Sequence, residues 1–181
     1  MPLSKSEAAD ALRMVEATER YSGELRGYAA AAPYFFIWGL VWAAGYALTA
    51  LQPDQRQIIW GGAIAVGTVL SVLNGMRAGG GRASVSRSLA FAGAIAAFIG
   101  FTTIVMAPLQ PRQVDAFIPL ATAAIYVFVG IWGGARFGLA GLVLAAVTVA
   151  GYFVAGDAFG YWMAAAGGGV LMLTGIWLRS V

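Results

Sequence analysis

The sequence predicts an all-α protein, a polytopic membrane bundle of six transmembrane helices preceded by an amphipathic N-terminal helix. Of its 181 residues, 60% are hydrophobic and 10% are charged, whereas a soluble domain carries roughly 25% charged residues. The apolar residues form runs of about 17 to 24 residues without Asp, Glu, Lys or Arg. Because a helix rises 1.5 Å per residue, such runs can cross a hydrocarbon core about 30 Å thick. They are continuously apolar rather than alternating, which favours helices over barrel strands.

The chain is predicted to comprise a cytoplasmic helix over residues 1–27 and a transmembrane domain over residues 28–181. Only two residues separate spans four and five, and only two separate spans five and six, so these neighbours must run antiparallel. The six predicted spans are Tyr28–Leu51, Ile58–Asn74, Leu89–Ala107, Ala116–Gly134, Phe137–Ala155 and Ala158–Leu178.

The basic residues predict the orientation. With the N-terminus in the cytoplasm, two basic residues lie outside, Arg56 and Arg112, and the other nine lie inside. This bias places both termini in the cytoplasm. The abundance of Arg, Ala and Gly is typical of a GC-rich bacterial genome, and the expected location is therefore the bacterial inner membrane. The arginines expected to fix the topology and contact lipid head groups are Arg77, Arg82, Arg87, Arg136 and Arg179.

The segment before the first span predicts a separate helix. Ser4 and Glu7 have the spacing of a capping box, and Gly23 and Gly27 are expected to end or bend the helix. Residues 1–27 contain four basic and five acidic residues, a balance that argues against electrostatic adhesion to anionic lipid. The helix is expected either to lie against the bundle or a sister subunit, or to bind a partner.

The loop after the second span, MRAGGGRASVSRS, is glycine-rich and contains three arginines spaced five residues apart. This spacing fits no single helix face, and the pattern of a Walker phosphate-binding loop is absent. We interpret it as a flexible cytoplasmic loop held inside by its arginines. A phosphate-binding or phosphorylation site is the alternative.

The composition argues against an enzyme. The spans contain no ionisable Asp, Glu, Lys or Arg, which membrane-embedded proton relays and hydrolytic sites generally need. The chain has no His and no Cys, which excludes imidazole acid–base chemistry, thiol chemistry and the usual zinc sites. We therefore expect no catalytic residues, no metal and no cofactor. The expected partners are the lipid bilayer and a second copy or another membrane subunit, with no nucleic acid.

The first span combines a ridge of large side chains with a ridge of small ones. Small residues at every fourth position let helix backbones approach closely in lipid, so this ridge predicts a helix contact. Similar small residues in spans three and four are the expected counterparts. The predicted packing residues are Gly39, Ala43 and Ala47 on span one, Ala92, Ala96 and Gly100 on span three, and Gly130 and Gly134 on span four.

The large ridge consists of Tyr34, Trp38, Trp42 and Tyr46. These rings either fill space beside the helix contact or form an aromatic wall that binds a flat, apolar or cationic ligand. Two functions follow. The first is a non-enzymatic accessory or interaction protein that packs through small-residue helix faces, and the alternative is a small-solute binder or permease that uses the aromatic wall.

Six spans, cytoplasmic termini and this chain length resemble, in architecture, the substrate-binding subunits of energy-coupling-factor vitamin transporters. The resemblance covers no sequence motif, so it assigns no site residues. It implies a solute-binding membrane subunit, and a partner ATPase would favour that function.

Overall fold

The computed structural model describes residues 5–78, 82–107 and 110–180, which are almost entirely helical. Short 3₁₀ turns at Pro53–Gln55 and Gly156–Ala158 connect neighbouring helices, and a π-helical turn at Met163–Gly167 joins the last two without a break. The helices are α1 (Lys5–Leu51), α2 (Arg56–Arg77), α3 (Arg82–Val105), α4 (Pro111–Gly133), α5 (Ala135–Val154), α6 (Phe159–Trp162) and α7 (Gly168–Arg179).

The all-α membrane bundle predicted from the sequence is confirmed. Five helical stretches are long and apolar enough to cross a membrane, and they include α1, α2, α4, α5 and the continuous helix Gly156–Arg179. The remaining predicted span, Leu89–Ala107, falls mainly on α3. The apolar helical stretch described there is shorter and runs over Gly93–Val105. The count of six spans therefore stays a prediction.

Helix α1 continues far beyond the predicted first span. It has 47 residues, which corresponds to about 70 Å of helix. The two glycines predicted to end or bend a separate N-terminal helix, Gly23 and Gly27, both lie inside α1, so neither of them ends a helix. Side chains from Leu12 to Tyr21 are exposed, so this part of α1 extends away from the bundle rather than lying against it. The predicted cap at Ser4 lies outside the described residues.

The predicted cytoplasmic loop is largely helical. Helix α2 continues to Arg77 and α3 begins at Arg82, so only residues 78–81 lie between them. The sequence MRAGGGRASVSRS therefore contributes to two helix ends as well as to a loop. Its serines and arginines after residue 81 extend α3 by two turns beyond the predicted span.

Helix α1 forms the centre of the bundle. One side of it packs against α7 and the π turn, another packs against α2, and α4 and α5 form a closely packed hairpin. Leu144, Met163 and Leu171 are fully or almost fully buried among these helices. Helices α2 and α3 are peripheral, since Gly67 is the one buried residue of α2 and no described side chain of α3 is buried.

The turns and termini gather at two ends of the bundle. At one end, here called the Asp115 end, the last turn of α1 meets the starts of α2, α4 and α6. At the other, the Tyr28 end, Tyr28 meets the turn between α4 and α5 and, through Arg136, the last turn of α7. Consecutive helices therefore run in opposite directions, with α6 and α7 counted as one continuous helix, as the short predicted connections require.

Gly134 makes the tight turn between α4 and α5 possible. Its φ is 111°, a value that residues with a Cβ atom rarely adopt. The hydroxyl of Tyr28 occupies the space that a Cβ atom at Gly134 would need. The Tyr28 ring also packs against Phe137, with ring centroids 5.2 Å apart. This turn thereby fixes α1 against the α4–α5 hairpin.

Candidate functional site

The four aromatic residues of the predicted wall pack against neighbouring helices. The Tyr34 hydroxyl and the Trp38 ring lie toward the α2 glycines, Gly75 and Gly67 respectively. The Tyr46 ring makes a T-shaped contact with Trp60 of α2, with centroids 4.9 Å apart, whereas Trp42 is buried in the core beside the π turn. Three of the rings thus contact α2 and one packs beside the π turn, so they do not form one open wall.

The small residues of the first span lie at the crossing of α1 and α7. A Cβ atom at Gly39 would come within 2.7 Å of Met172 Cγ and 3.1 Å of the Gly168 carbonyl oxygen. A Cβ atom at Gly168 would lie 2.9 Å from Cβ of Ala43. Ala47, one turn further along, is half-buried. Gly39 and Ala43 therefore permit the close approach of these two backbones.

The other predicted packing residues do not meet the small ridge of α1. Gly130 lies against the backbone of Gly138 inside the α4–α5 hairpin, and Gly134 lies against Tyr28. On α3, Ala96 is exposed and the space around Gly100 is open. None of these four residues contacts the small ridge of α1, which α7 covers instead. The side chain of Ala92 lies outside the described residues.

Three of the five predicted topogenic arginines have described side chains. Arg136 donates a hydrogen bond to the carbonyl oxygen of Trp177 at 2.6 Å, and its guanidinium lies 5.0 Å from the Trp177 ring and 5.4 Å from the Tyr28 ring. Arg179 lies over the ring of Phe36. Arg77 is exposed at the end of α2. The side chains of Arg82 and Arg87 lie outside the described residues.

A cavity with both polar and apolar walls lies at the Asp115 end. It has a volume of about 220 Å³ and is lined by the ends of α1, α2, α4 and α6. Arg56 and Asp115 form an ion pair across its wall. The Tyr46 hydroxyl donates a hydrogen bond to the backbone carbonyl of Asp115 at 2.7 Å. These contacts join three helices around the opening.

The same cavity is lined by Thr49, which the sequence does not indicate as a site residue, and by two further charged side chains. Thr49 is 5% exposed, and its buried hydroxyl has no hydrogen-bond partner among the described residues. Arg112 donates to the carbonyl oxygen of Tyr152 at 2.9 Å, and the carboxylate of Asp157 also lines the cavity. A lone Thr in an apolar span gives no signal by itself. Its significance depends on the helix ends that surround it.

The cavity can offer hydrogen bonds and opposite charges to a small solute. Two cationic and two anionic side chains line it, so its formal charge is balanced. Among the residues that the structure describes, no group of three or more His, Cys, Asp or Glu could hold a metal ion. The arrangement therefore fits a small polar or zwitterionic molecule better than a bare cation.

Glycines divide the bundle into a packed and an unpacked part. In α1, α4, α5 and α7, most apolar-region glycines face a neighbour so closely that an added Cβ atom would collide with it. Four glycines on the peripheral helices have open space instead, as does Gly169 on α7. The four are Gly61 and Gly62 on α2 and Gly93 and Gly100 on α3.

Comparisons with known proteins give no relative for this chain. No protein-family model matches it, and neither a curated protein nor a solved structure does.

Proposed function

We propose that the protein is a non-enzymatic accessory subunit of the bacterial inner membrane, which binds its partner through the N-terminal half of α1. The partner is a second copy of the chain or another membrane subunit. The observation that carries this proposal is the length of α1 together with the exposure of its first turns. A single continuous helix gives the membrane domain a rigid arm.

The length of α1 requires much of it to lie outside the bilayer. The predicted first span, Tyr28–Leu51, already exceeds the roughly 20 residues that cross a hydrocarbon core. The residues from Lys5 to Gly27 add about 35 Å of helix beyond it. They include acidic and basic side chains that would be costly inside the membrane. This part of α1 therefore faces water.

The arm exposes apolar side chains where lipid cannot cover them. Leu12 is 60% exposed and Val15 54% exposed. These two residues share one helix face, because residues three apart are neighbours on a helix surface. An exposed apolar face in water favours association with another protein surface. Leu12 and Val15 are accordingly the proposed contact residues.

The open glycines of α2 and α3 support the same proposal. In lipid, a small residue is used where a neighbouring backbone approaches closely. Within the bundle, Gly39, Gly130 and Gly168 follow this rule, whereas Gly93 and Gly100 lie on a helix face without a neighbour among the described residues. A partner helix on this face would complete the packing of α3.

The proposal includes a cytoplasmic position for the Tyr28 end. Arg136 and Arg179 lie at this end, and no carboxylate pairs with either of them within the described part of the chain. Arg56, at the opposite end, is neutralised by Asp115. This distribution agrees with the positive-inside rule. An arm at the Tyr28 end then projects into the cytoplasm.

Cysteine labelling in intact cells tests this orientation. Gln55→Cys and Ser180→Cys are both at exposed positions, and the chain has no native Cys. An impermeant thiol reagent should label Gln55→Cys and leave Ser180→Cys unlabelled until the cells are opened. The reverse pattern would place the arm outside the cytoplasm.

Native mass spectrometry of protein purified from its own membrane tests partner binding. We expect a complex of fixed stoichiometry for the parent chain. The double variant Leu12→Asp/Val15→Asp should lose the partner, since two charges would have to be buried in the contact. Ala17→Asp is the control, because Ala17 is exposed and lies about 200° around the helix from Val15. A parent chain that is always monomeric and alone would contradict the proposal.

A second candidate function is small-solute binding at the Asp115 end, and the buried, unpartnered hydroxyl of Thr49 favours it. A bound solute would give this hydroxyl a hydrogen bond. The sequence suggested a solute site on the aromatic ridge, whereas this candidate site is the cavity at the Asp115 end. Tyr46 belongs to both the ridge and the cavity lining. Small molecules extracted from the purified protein would identify the solute, and Thr49→Val should retain less of it than the parent.

A further inference from the structure

We propose that an anionic phospholipid binds in the groove between α5 and α7, with one acyl chain in the groove and its phosphate at Arg136. This inference is independent of the partner and solute proposals, because it concerns a different face of the bundle. It rests on the shape of the groove, on its depth in the membrane and on the cation at its mouth.

The groove is apolar and opens toward the surroundings of the bundle. It has a volume of about 430 Å³, and its walls include Leu139 and Val143 of α5 and Val170, Leu173 and Trp177 of α7. Leu139, Val143 and Leu173 are about half exposed or more. In a membrane such a surface faces lipid chains, so an acyl chain can enter the groove without displacing protein.

The length of the groove matches one leaflet. Val170 and Trp177 are seven residues apart on α7, which is about 10 Å along the helix axis. Half of the hydrocarbon core is about 15 Å thick. The groove therefore extends from the head-group level at the Tyr28 end over about two thirds of that leaflet. A chain anchored at this end would fill it.

Arg136 supplies the charge at the mouth of the groove. Trp177 lines the groove and also holds the Arg136 guanidinium over its ring and at its carbonyl oxygen. No carboxylate within the described residues forms an ion pair with Arg136. Because an arginine has five N–H donors and the bond to the Trp177 carbonyl oxygen uses one of them, the others are available to a phosphate. Phosphate contacts of this kind are favourable and charge-assisted.

Titration with defined lipids in native mass spectrometry tests the site. The probes are phosphatidylglycerol, which is anionic, and phosphatidylcholine, which is not. The parent should retain phosphatidylglycerol preferentially and saturably, with one molecule per chain. Arg136→Gln should weaken that retention about fivefold, the loss expected for one cation near an anionic head group.

Arg112→Gln is the matched control for the charge. Arg112 also donates to a backbone carbonyl and lies over an aromatic ring, that of Tyr152, but it is at the opposite end and lines no apolar groove. It should leave phosphatidylglycerol retention within twofold of the parent. Equal losses in the two arginine variants would overturn the assignment of the phosphate to Arg136.

A groove-filling variant tests the acyl chain. Val143→Trp should reduce the retention of phosphatidylglycerol, whereas Val149→Trp, at an equally exposed position of α5 outside the groove, should not. Melting curves in detergent identify any variant that fails to fold, and such a variant is replaced by Val143→Phe. Unchanged retention in the folded groove variant would overturn the proposal. The proposal would also be overturned if the parent chain formed a dimer that Val143→Trp disrupted while lipid retention stayed at the parental level.

Discussion

The Tyr46 hydroxyl donates a hydrogen bond to the backbone carbonyl of Asp115, and this 2.7 Å contact joins the last turns of α1 to the first turn of α4. The two residues are 69 positions apart in the chain. Asp115 uses its side chain at the same time to pair with Arg56 of α2. Asp115 of α4 thereby contacts both α1 and α2. The Tyr46 side of this contact is buried, since Tyr46 is 2% exposed.

Tyr46→Phe should lower the free energy of unfolding by about 1 kcal/mol, the typical net contribution of one hydrogen bond. The ring stays in place, so its contact with Trp60 is retained. Tyr34→Phe is the control, since within the described residues the Tyr34 hydroxyl makes no hydrogen bond. Thermal melting in detergent checks the pair. Equal melting temperatures for the Tyr46 variant and the parent would show that this bond contributes nothing.

The sequence predicts the charged groups of the Asp115 end outside the spans but does not pair them, and the structure places three of them, Arg56, Arg112 and Asp115, near helix starts. Arg56, Arg112, Asp115 and Asp157 are all predicted outside the spans, on the same side of the membrane. Which arginine meets which carboxylate depends on the order of the helices around the bundle. Hydropathy gives the number and direction of helices but not their lateral arrangement. The pairing of Arg56 with Asp115 therefore needs the structure.

Gly39→Leu should impair folding strongly. Its side chain would have to enter the space occupied by Met172 and the Gly168 carbonyl, and overpacking of this kind costs about 1–3 kcal/mol or more. Gly169→Leu is a matched control on α7, because the space at Gly169 is open. The melting temperature in detergent should be lower than that of the parent for Gly39→Leu and close to it for Gly169→Leu. A similar effect of both would remove Gly39 from the helix contact.

The small ridge of α1 is recognisable from the sequence, but its partner is not. Spans three, four and six all contain Gly and Ala at suitable spacing, and the predicted counterparts lie on spans three and four. The structure pairs Gly39 with Gly168 instead. Small-residue spacing identifies a face that allows close approach, yet it carries no complementarity that would select one helix among several.

The continuity of α1 has a similar explanation. A glycine inside a helix costs about 1 kcal/mol relative to alanine, which suggested a break at Gly23 or Gly27. The residues around them, including Glu24, Leu25 and Arg26, are good helix formers. Leu25 also packs against the core. Local propensity and the packing of Leu25 therefore carry the helix through two unfavourable positions.

Thr49→Val should leave the stability of the ligand-free protein unchanged or raise it. The buried Thr49 hydroxyl has no partner, and an unpartnered buried hydroxyl costs about 1–3 kcal/mol. Thr148→Val is the control, because the fully buried Thr148 hydroxyl donates to the Leu144 carbonyl at 2.7 Å. That variant should lose up to about 1 kcal/mol. Melting curves of solute-free protein compare the two.

Solute binding reverses the expectation for Thr49. If a solute bonds to its hydroxyl, Thr49→Val should melt at a lower temperature than the parent when both retain the native solute. The difference in melting temperature between the Thr148 variant and the parent should stay the same with and without solute. The stabilisation by a bound solute follows from its affinity for the folded state alone. A Thr49 variant that ranks the same with and without solute would remove this hydroxyl from any binding site.

The aromatic ridge gives the last prediction. Trp42 is 6% exposed and packs in the core, whereas Trp38 lies half-buried against α2. If these rings only pack, Trp42→Leu should destabilise the protein by about 2 kcal/mol or more, since a large buried side chain is lost. Trp38→Leu should cost less, and Trp132→Leu is the control for an exposed ring, since Trp132 is 80% exposed. Ligand retention by folded variants should equal that of the parent.

The opposite outcome has a distinct signature. An aromatic ligand wall would make both Trp38→Leu and Trp42→Leu lose about fivefold in affinity per ring, as expected for a stacking contact of about 1 kcal/mol. Saturable quenching of tryptophan fluorescence by a retained small molecule measures that affinity. We expect no such loss, because Trp38 and Trp42 face different helices and cannot present their rings to one ligand. A parallel loss of affinity in these two variants, with Trp132→Leu unaffected, would require the rings to share a site.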